Sequence, residues 1–97
     1  MAFQVNLTTD AEADLAYLKV HEQRIVLDGI GAHLRLQADE ESDRHKRLRP
    51  NPLAPWELRI GKYRVFYDVE GGATVWVTAI GWKEHNELFI RGKRVAL

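Results

Sequence analysis

A stretch of alternating apolar and polar residues, 56–82, constrains the fold more than any other part of this sequence. Residues 56–60 (WELRI) and 63–69 (YRVFYDV) both alternate with the period of two that sends successive side chains to opposite faces of a sheet. Only Gly61 and Lys62 separate the two segments, and a two-residue loop that begins with glycine suits a type II′ turn. The pattern therefore predicts a tight β-hairpin.

The register of this hairpin brings two arginines together, because it places Arg59 directly opposite Arg64 on one face of the sheet. Like charges in that position destabilise a strand pair, by an amount comparable to the roughly 0.2–1 kcal/mol that a favourable cross-strand pair contributes. Two explanations are open. Either nearby carboxylates screen the pair, for which Glu57 and Asp68 are candidates, or the pair binds an anionic ligand.

The composition fits a single domain spanning residues 1–97. The 14 Lys and Arg residues balance the 14 Asp and Glu residues, which excludes a uniformly basic nucleic-acid binder. The charge is nevertheless uneven along the chain, since residues 39–41 are acidic whereas 44–49 and 83–94 are mostly basic. The sequence therefore allows a local basic surface.

Nothing in the sequence predicts a metal, a cofactor or a membrane segment. The chain has no cysteine, and His21, His33 and His45 show no spacing typical of metal ligands. No apolar run approaches membrane-spanning length, and the first residues lack the pattern of a signal peptide. We therefore expect a cytoplasmic protein without a bound metal or cofactor.

The N-terminal half predicts a strand followed by two helices. Apolar residues alternate over 3–7, and Thr9 with Glu12 has the spacing of a capping box that opens a helix over about 9–20. Apolar residues at three- and four-residue steps predict a second helix over about 22–38. The two helices should form a hairpin packed on a sheet.

The rest of the chain predicts strands. Residues 39–55 are charged and then punctuated by three prolines, which favours an extended connection. A second glycine turn precedes a strand over 74–80, and 84–91 suits one or two helical turns or a further short strand. The expected fold is α+β: an N-terminal strand and a two-helix hairpin on a mostly antiparallel sheet of about four strands.

This order of elements resembles the RelE/ParE superfamily of bacterial toxins from type II toxin–antitoxin pairs. The resemblance is carried by the motif WELRxGxYRVxYxV at 56–69 and by VxVxxIG at 75–81, which basic residues follow. It implies a RelE-like fold over nearly the whole chain and a small antitoxin protein as partner. It also implies one of two toxic activities, either cleavage of messenger RNA, free or on the ribosome, or poisoning of DNA gyrase through protein contacts.

For RNA cleavage, the resemblance implies catalytic roles for basic residues on the sheet and after its last long strand. The matching positions are Arg59, Arg64 and Lys83. Arginine suits this chemistry because its planar fork binds two phosphate oxygens at once. The family's C-terminal tyrosine position falls at Phe89, which has no ionisable group but offers a ring to stack on a base. His85 is the candidate replacement for proton transfer, and a plain surface histidine is the alternative.

Three further residues are candidates for RNA contacts. Arg47 and Arg49 belong to the densest basic run, which is either an RNA-backbone contact or a solvated loop. Trp82 precedes Lys83 at the strand exit, where an indole either stacks on a base or packs. The preferred hypothesis is a metal-independent endoribonuclease. The alternatives are a gyrase-directed toxin, which the missing tyrosine favours, and a weakened toxin that mainly binds its antitoxin.

Overall fold

A computed structural model describes residues 2–97. Its helices and strands follow the chain in this order: β1 (Gln4–Leu7), α1 (Thr9–Tyr17), α2 (Val20–Gln37), β2 (His45–Arg47), β3 (Trp56–Ile60), β4 (Tyr63–Glu70), β5 (Thr74–Glu84), β6 (Glu87–Ile90) and β7 (Lys93–Val95). Neither helix is long and apolar enough to cross a membrane.

The strands form one sheet in the order β2-β3-β4-β5-β6-β7, and β1 lies parallel to the first part of β5. All other pairs are antiparallel. The predicted α+β architecture is confirmed, but the sheet has seven strands rather than about four. The additional strands β2, β6 and β7 have only three or four residues, too few for alternation to reveal them.

The predicted β3–β4 hairpin is confirmed in its register. Ile60 pairs with Tyr63, and Arg59 pairs with Arg64. Gly61 has a φ of 57°, whereas Lys62 does not lie in the left-handed region. This combination fits the type II′ turn, which requires a positive φ at its first central residue alone.

The helix boundaries differ from the prediction. Thr8, not Thr9, is the N-cap of α1, and its hydroxyl accepts a 3.2 Å hydrogen bond from the Ala11 N–H. The helix ends at Tyr17, and α2 already begins at Val20. The expected capping box of Thr9 with Glu12 is therefore wrong, because the N-cap lies one residue earlier and Ala11, three residues after it, has no side chain that could complete a box.

The main core lies between the helices and one face of the sheet, called here the helix face. Its largest members come from both layers, and those below 2 % exposure include Tyr67, Leu34, Leu58, Val26 and Val65. Burial of this apolar surface is the main stabilising contribution to the fold.

The opposite face of the sheet carries a smaller apolar cluster around Phe66, covered by Ala54 and Leu88. The proline segment 48–55 crosses this face, and its backbone is ordered by Asn51, whose side-chain amide makes four hydrogen bonds within the segment. The hydroxyl of Thr78 on β5 donates to the Leu53 carbonyl at 2.9 Å. The expected extended connection therefore packs on the sheet after the short strand β2.

Asp14 joins α1 to the C-terminal strands. β5 pairs with β1 up to Val77 and with β6 from Trp82, and between these pairings the Ile80 N–H donates to the Asp14 carboxylate at 3.0 Å. The other carboxylate oxygen accepts from Nε of Arg91 at 2.7 Å. This buried carboxylate thus satisfies a strand N–H that has no strand partner, as buried backbone groups require.

Candidate functional site

Arg59, Arg64 and Lys83 share the sheet face opposite the helices. Arg64 pairs with Arg59 on β3 and with Gly81 on β5, and Lys83 lies two residues beyond Gly81 on the same face. The structure therefore brings together the three basic residues that the sequence predicted for phosphate binding. We call them the basic cluster.

Glu57 is the carboxylate that relieves repulsion within the basic cluster. Its side chain is only 3 % exposed, its Oε1 accepts a 2.9 Å hydrogen bond from Arg59 Nε, and its Oε2 lies 3.9 Å from Arg64 Nε. The expectation that Glu57 screens the arginines is confirmed. The expectation for Asp68 is wrong, because its carboxylate accepts from the Val69 N–H on its own strand.

Arg64 is held more firmly than Arg59. Its side chain is 14 % exposed, compared with 42 % for Arg59. Its Nη1 donates to the carbonyls of Gly61 at 2.7 Å and Tyr63 at 2.9 Å, which ties it to the hairpin turn. Its Nε is buried and donates to no described residue.

Electrostatics around Arg64 combine burial with two neighbouring charges. Burial lowers the pKa of Arg64 below its ordinary value, the Glu57 carboxylate opposes this, and the Arg59 charge adds to it. The guanidinium still remains protonated at any physiological pH. An additional anion near it would therefore be stabilised by a charge that surrounding water screens little.

The cations around the basic cluster outnumber the carboxylates that pair with them. Among the described residues, Glu57 is the one carboxylate that pairs with Arg59 and Arg64, and none pairs with Lys83. Lys46 on β2 pairs with Glu57 in the sheet register, which places a further cation on the same face. Lys46 was not predictable as a neighbour of the basic cluster, because its position depends on the pairing of β2 with β3. No described residue accepts a hydrogen bond from the Nη atoms of Arg59. These terminal donors are available to an anionic ligand.

Trp82 and Phe89 lie on the other face of the sheet. Their rings stack at 6.0 Å between centroids, and Tyr17 of α1 stacks on Trp82 at 6.1 Å. Trp82 also donates from its indole N–H to Glu84 at 3.1 Å. The structure therefore does not bring the two predicted stacking residues together with the basic cluster.

His85 lies at the exposed tip of the β5–β6 hairpin. Residues 84–91 form this hairpin rather than helical turns, which confirms the short-strand alternative. His85 has a φ of 50° and Asn86 a φ of 66°, as a type I′ turn requires. His85 lies four positions after Gly81 along the chain, which is about 13 Å at the usual strand rise per residue. The imidazole is thus not next to Arg64.

Arg47 and Arg49 are also apart from the basic cluster. Arg47 lies on the edge strand β2, with its guanidinium 5.3 Å from the ring centroid of Trp56, a core residue of the helix face. Arg49 is exposed in the proline segment. Arg47 thus has a packing role as a cation–π partner.

Among residues 2–97, no group of three or more His, Asp or Glu side chains is placed to hold a metal ion.

Comparisons with known proteins agree with this fold. A family model described as the ParE toxin of the type II toxin–antitoxin system parDE matches residues 5–86. The crystal structure of the RelBE2 toxin–antitoxin complex from Mycobacterium tuberculosis is similar with a TM-score of 0.74 and 23 % identity, over 86 % of this chain and 100 % of that chain. At that identity the likeness shows the fold alone. No curated protein matches the sequence.

Proposed function

We propose that this chain, which belongs to the ParE toxin family of type II toxin–antitoxin systems, acts as a metal-independent endoribonuclease on messenger RNA. The observation that carries the proposal is the basic cluster with its single carboxylate. Such a face fits a phosphodiester, because paired arginine forks and a lysine complement its oxygens. Inhibition of translation in the cytoplasm, through RNA that is free or bound to a ribosome, would follow.

In this reaction the 2′-hydroxyl attacks the adjacent phosphorus, and the bond to the 5′-oxygen of the next nucleotide breaks. Negative charge accumulates on the phosphorane oxygens, where Arg59, Arg64 and Lys83 would stabilise it. One such preorganised donor contributes about 2.7–4 kcal/mol to transition-state stabilisation in other enzymes. The basic cluster thus accounts for charge stabilisation, but the reaction also needs a base for the 2′-hydroxyl and a proton for the leaving 5′-oxygen.

Proton transfer is the other part of the mechanism, and His85 is our candidate for it. An imidazole side chain can act both as a general base and as a general acid. Because His85 lies at the hairpin tip, the RNA would have to follow β5 from Gly81 toward residues 84–87. His85→Ala should slow cleavage if the imidazole has this role.

A gyrase-directed toxin is the second candidate. Phe89 packs against Trp82 and has no ionisable group, so the described residues around the basic cluster include no tyrosine for acid or base chemistry. A third possibility is a weakened toxin that chiefly binds its antitoxin.

Induction of the protein in bacteria separates these activities. RNA cleavage within minutes supports the nuclease, whereas an early DNA-damage response with intact RNA supports gyrase as the target.

We further propose that an acidic or amphipathic segment of the antitoxin binds across the face carrying Arg59 and Arg64. An acidic partner would complement the excess positive charge there. Amide hydrogen exchange of the complex should show protection in β3 and β4. Protection confined to α1 and α2 would contradict direct masking of the basic cluster.

A further inference from the structure

Glu57 contacts the two arginines without occupying their terminal Nη nitrogens. It lies on β3 two residues before Arg59 and diagonally across from Arg64, and it meets the Nε side of both guanidinium groups. Nη1 of Arg64 is occupied by the turn carbonyls of Gly61 and Tyr63. Both Nη atoms of Arg59 and the Nη2 of Arg64 donate to no described residue.

We infer that Glu57 is a positioning residue, which holds the Arg59 guanidinium by a hydrogen bond and offsets its repulsion with Arg64, so that the terminal nitrogens of Arg59 and Nη2 of Arg64 bind the non-bridging oxygens of one phosphodiester. The inference rests on the proposed function and names the residue that prepares its site. Orientation matters because two arginines held at a strand pair otherwise repel each other and sample other rotamers. A site that is prepared before the substrate binds avoids that reorganisation during the reaction.

The competing role for Glu57 is that of a mask, an internal anion that occupies the arginines until RNA displaces it. The geometry argues against a mask. The carboxylate is only 3 % exposed and accepts from the Nε of Arg59, whereas bidentate binding of an external phosphate to Arg59 would use its terminal nitrogens. A phosphate therefore has no need to displace Glu57. Removal of the carboxylate should disorder the arginines rather than liberate them.

The test compares three variants that separate orientation from net charge. Glu57→Gln keeps the side-chain shape and raises the net charge by one. Asp68→Asn makes the same change of charge on the same sheet face, but Asp68 bonds only to Val69 and contacts neither arginine. Glu57→Asp retains the carboxylate with a shorter reach. Each variant is first checked for native circular dichroism and cooperative melting.

Two measurements are made on each variant. Kinetics with an RNA oligonucleotide give kcat and KM, and NMR spectra give the Nε–Hε signals of Arg59 and Arg64, assigned by substitution of each arginine with lysine. The same oligonucleotide with 2′-deoxyribose at the cleaved position serves as a non-cleavable ligand. We expect Glu57→Gln to lose the protected Nε signal of Arg59 and to lower kcat by about tenfold to a hundredfold. Its KM should be unchanged or lower, because added positive charge strengthens RNA binding.

Asp68→Asn should retain both signals and kcat, and Glu57→Asp should recover part of the rate lost in Glu57→Gln. A protected Nε signal of Arg59 in Glu57→Gln, or an unchanged or higher kcat, would overturn the positioning role, and an increase in kcat would favour a mask. If the wild-type protein neither binds nor cleaves RNA, the proposed function fails. The Nε signals without RNA still decide in that case whether Glu57 orients the arginines.

Discussion

Trp82 and Lys83 are consecutive residues of β5, yet they belong to two different regions of the molecule. Trp82 lies in an aromatic stack on the helix face, whereas Lys83 lies beside the arginine pair on the opposite face. Strand alternation makes this separation unavoidable, because neighbouring side chains point to opposite sides of a sheet. Closeness in sequence therefore says little here about sharing a site.

The two regions also differ in whether their side chains have groups available to bind a ligand. The Trp82 ring stacks with two other rings, those of Tyr17 and Phe89. The guanidinium of Arg59 instead keeps its terminal nitrogens free of described partners. Aromatic rings that stack on one another stabilise the fold, whereas a cation with unused donors is available to bind ligands. We therefore expect substitutions in the two regions to have separable effects on stability and on activity.

The largest effect should come from Arg64→Ala, with a loss of cleavage of roughly a hundredfold to a thousandfold if this residue holds the phosphorane. The structure adds a cost in stability, since Nη1 loses its two carbonyl partners. Rates must therefore be compared per folded molecule. Arg64→Lys should recover only part of the activity, because an ammonium cannot bind two oxygens in parallel.

Arg35→Ala is the matched control for Arg64→Ala, because it removes an exposed arginine from α2, on the other side of the sheet. It should leave cleavage and growth inhibition unchanged. A folded Arg64→Ala protein that remains fully toxic would contradict the nuclease proposal. It would favour the gyrase-directed or antitoxin-binding alternatives instead.

The sequence predicted the region around Arg64 better than the region around Phe89, and the reason is the range of the interactions. The β3–β4 register follows from local alternation and a glycine turn, so Arg59 opposite Arg64 was predictable. The β5–β6 hairpin turns instead through His85 and Asn86, with no glycine to mark a type I′ turn. The place of Phe89 in the stack also depends on α1, which is distant in sequence.

A second way to test the comparison is to remove the central ring of the stack. Trp82→Ala should lower the free energy of unfolding by about 2–3 kcal/mol, below the usual 3–5 kcal/mol for a fully buried ring because Trp82 is half-buried. Urea unfolding measures the change, and Tyr17→Ala should cost less because Tyr17 is 55 % exposed. A fall in RNA affinity per folded molecule would show that the stack contacts RNA after all.

Acid should weaken the helix face before it affects the basic cluster. His45 is buried between Ser42 and the His33 carbonyl, and burial lowers the pKa of both histidines below 6.5. The folded state then binds fewer protons than the unfolded state just below pH 6.5, so stability falls as the pH drops through that range. Urea unfolding at about pH 7.5 and about pH 5.5 should show the loss, and His45→Gln should reduce its slope. An unchanged slope would contradict the role of His45.

The smallest effect should come from Phe89→Tyr, which restores the residue type of the family's tyrosine position. In this chain the Phe89 ring lies against Trp82 on the helix face, so a hydroxyl added there would have to cross the sheet to reach Arg64. Because Phe89 is half-buried, the hydroxyl should also reach solvent and change the free energy of unfolding by less than about 0.5 kcal/mol. RNA cleavage by this variant should match that of the wild type, and Phe89→Leu provides the comparison without a ring. A marked gain of cleavage in Phe89→Tyr alone would mean that β6 can present this side chain to the basic cluster, and the separation of the two regions would then not hold in the active complex.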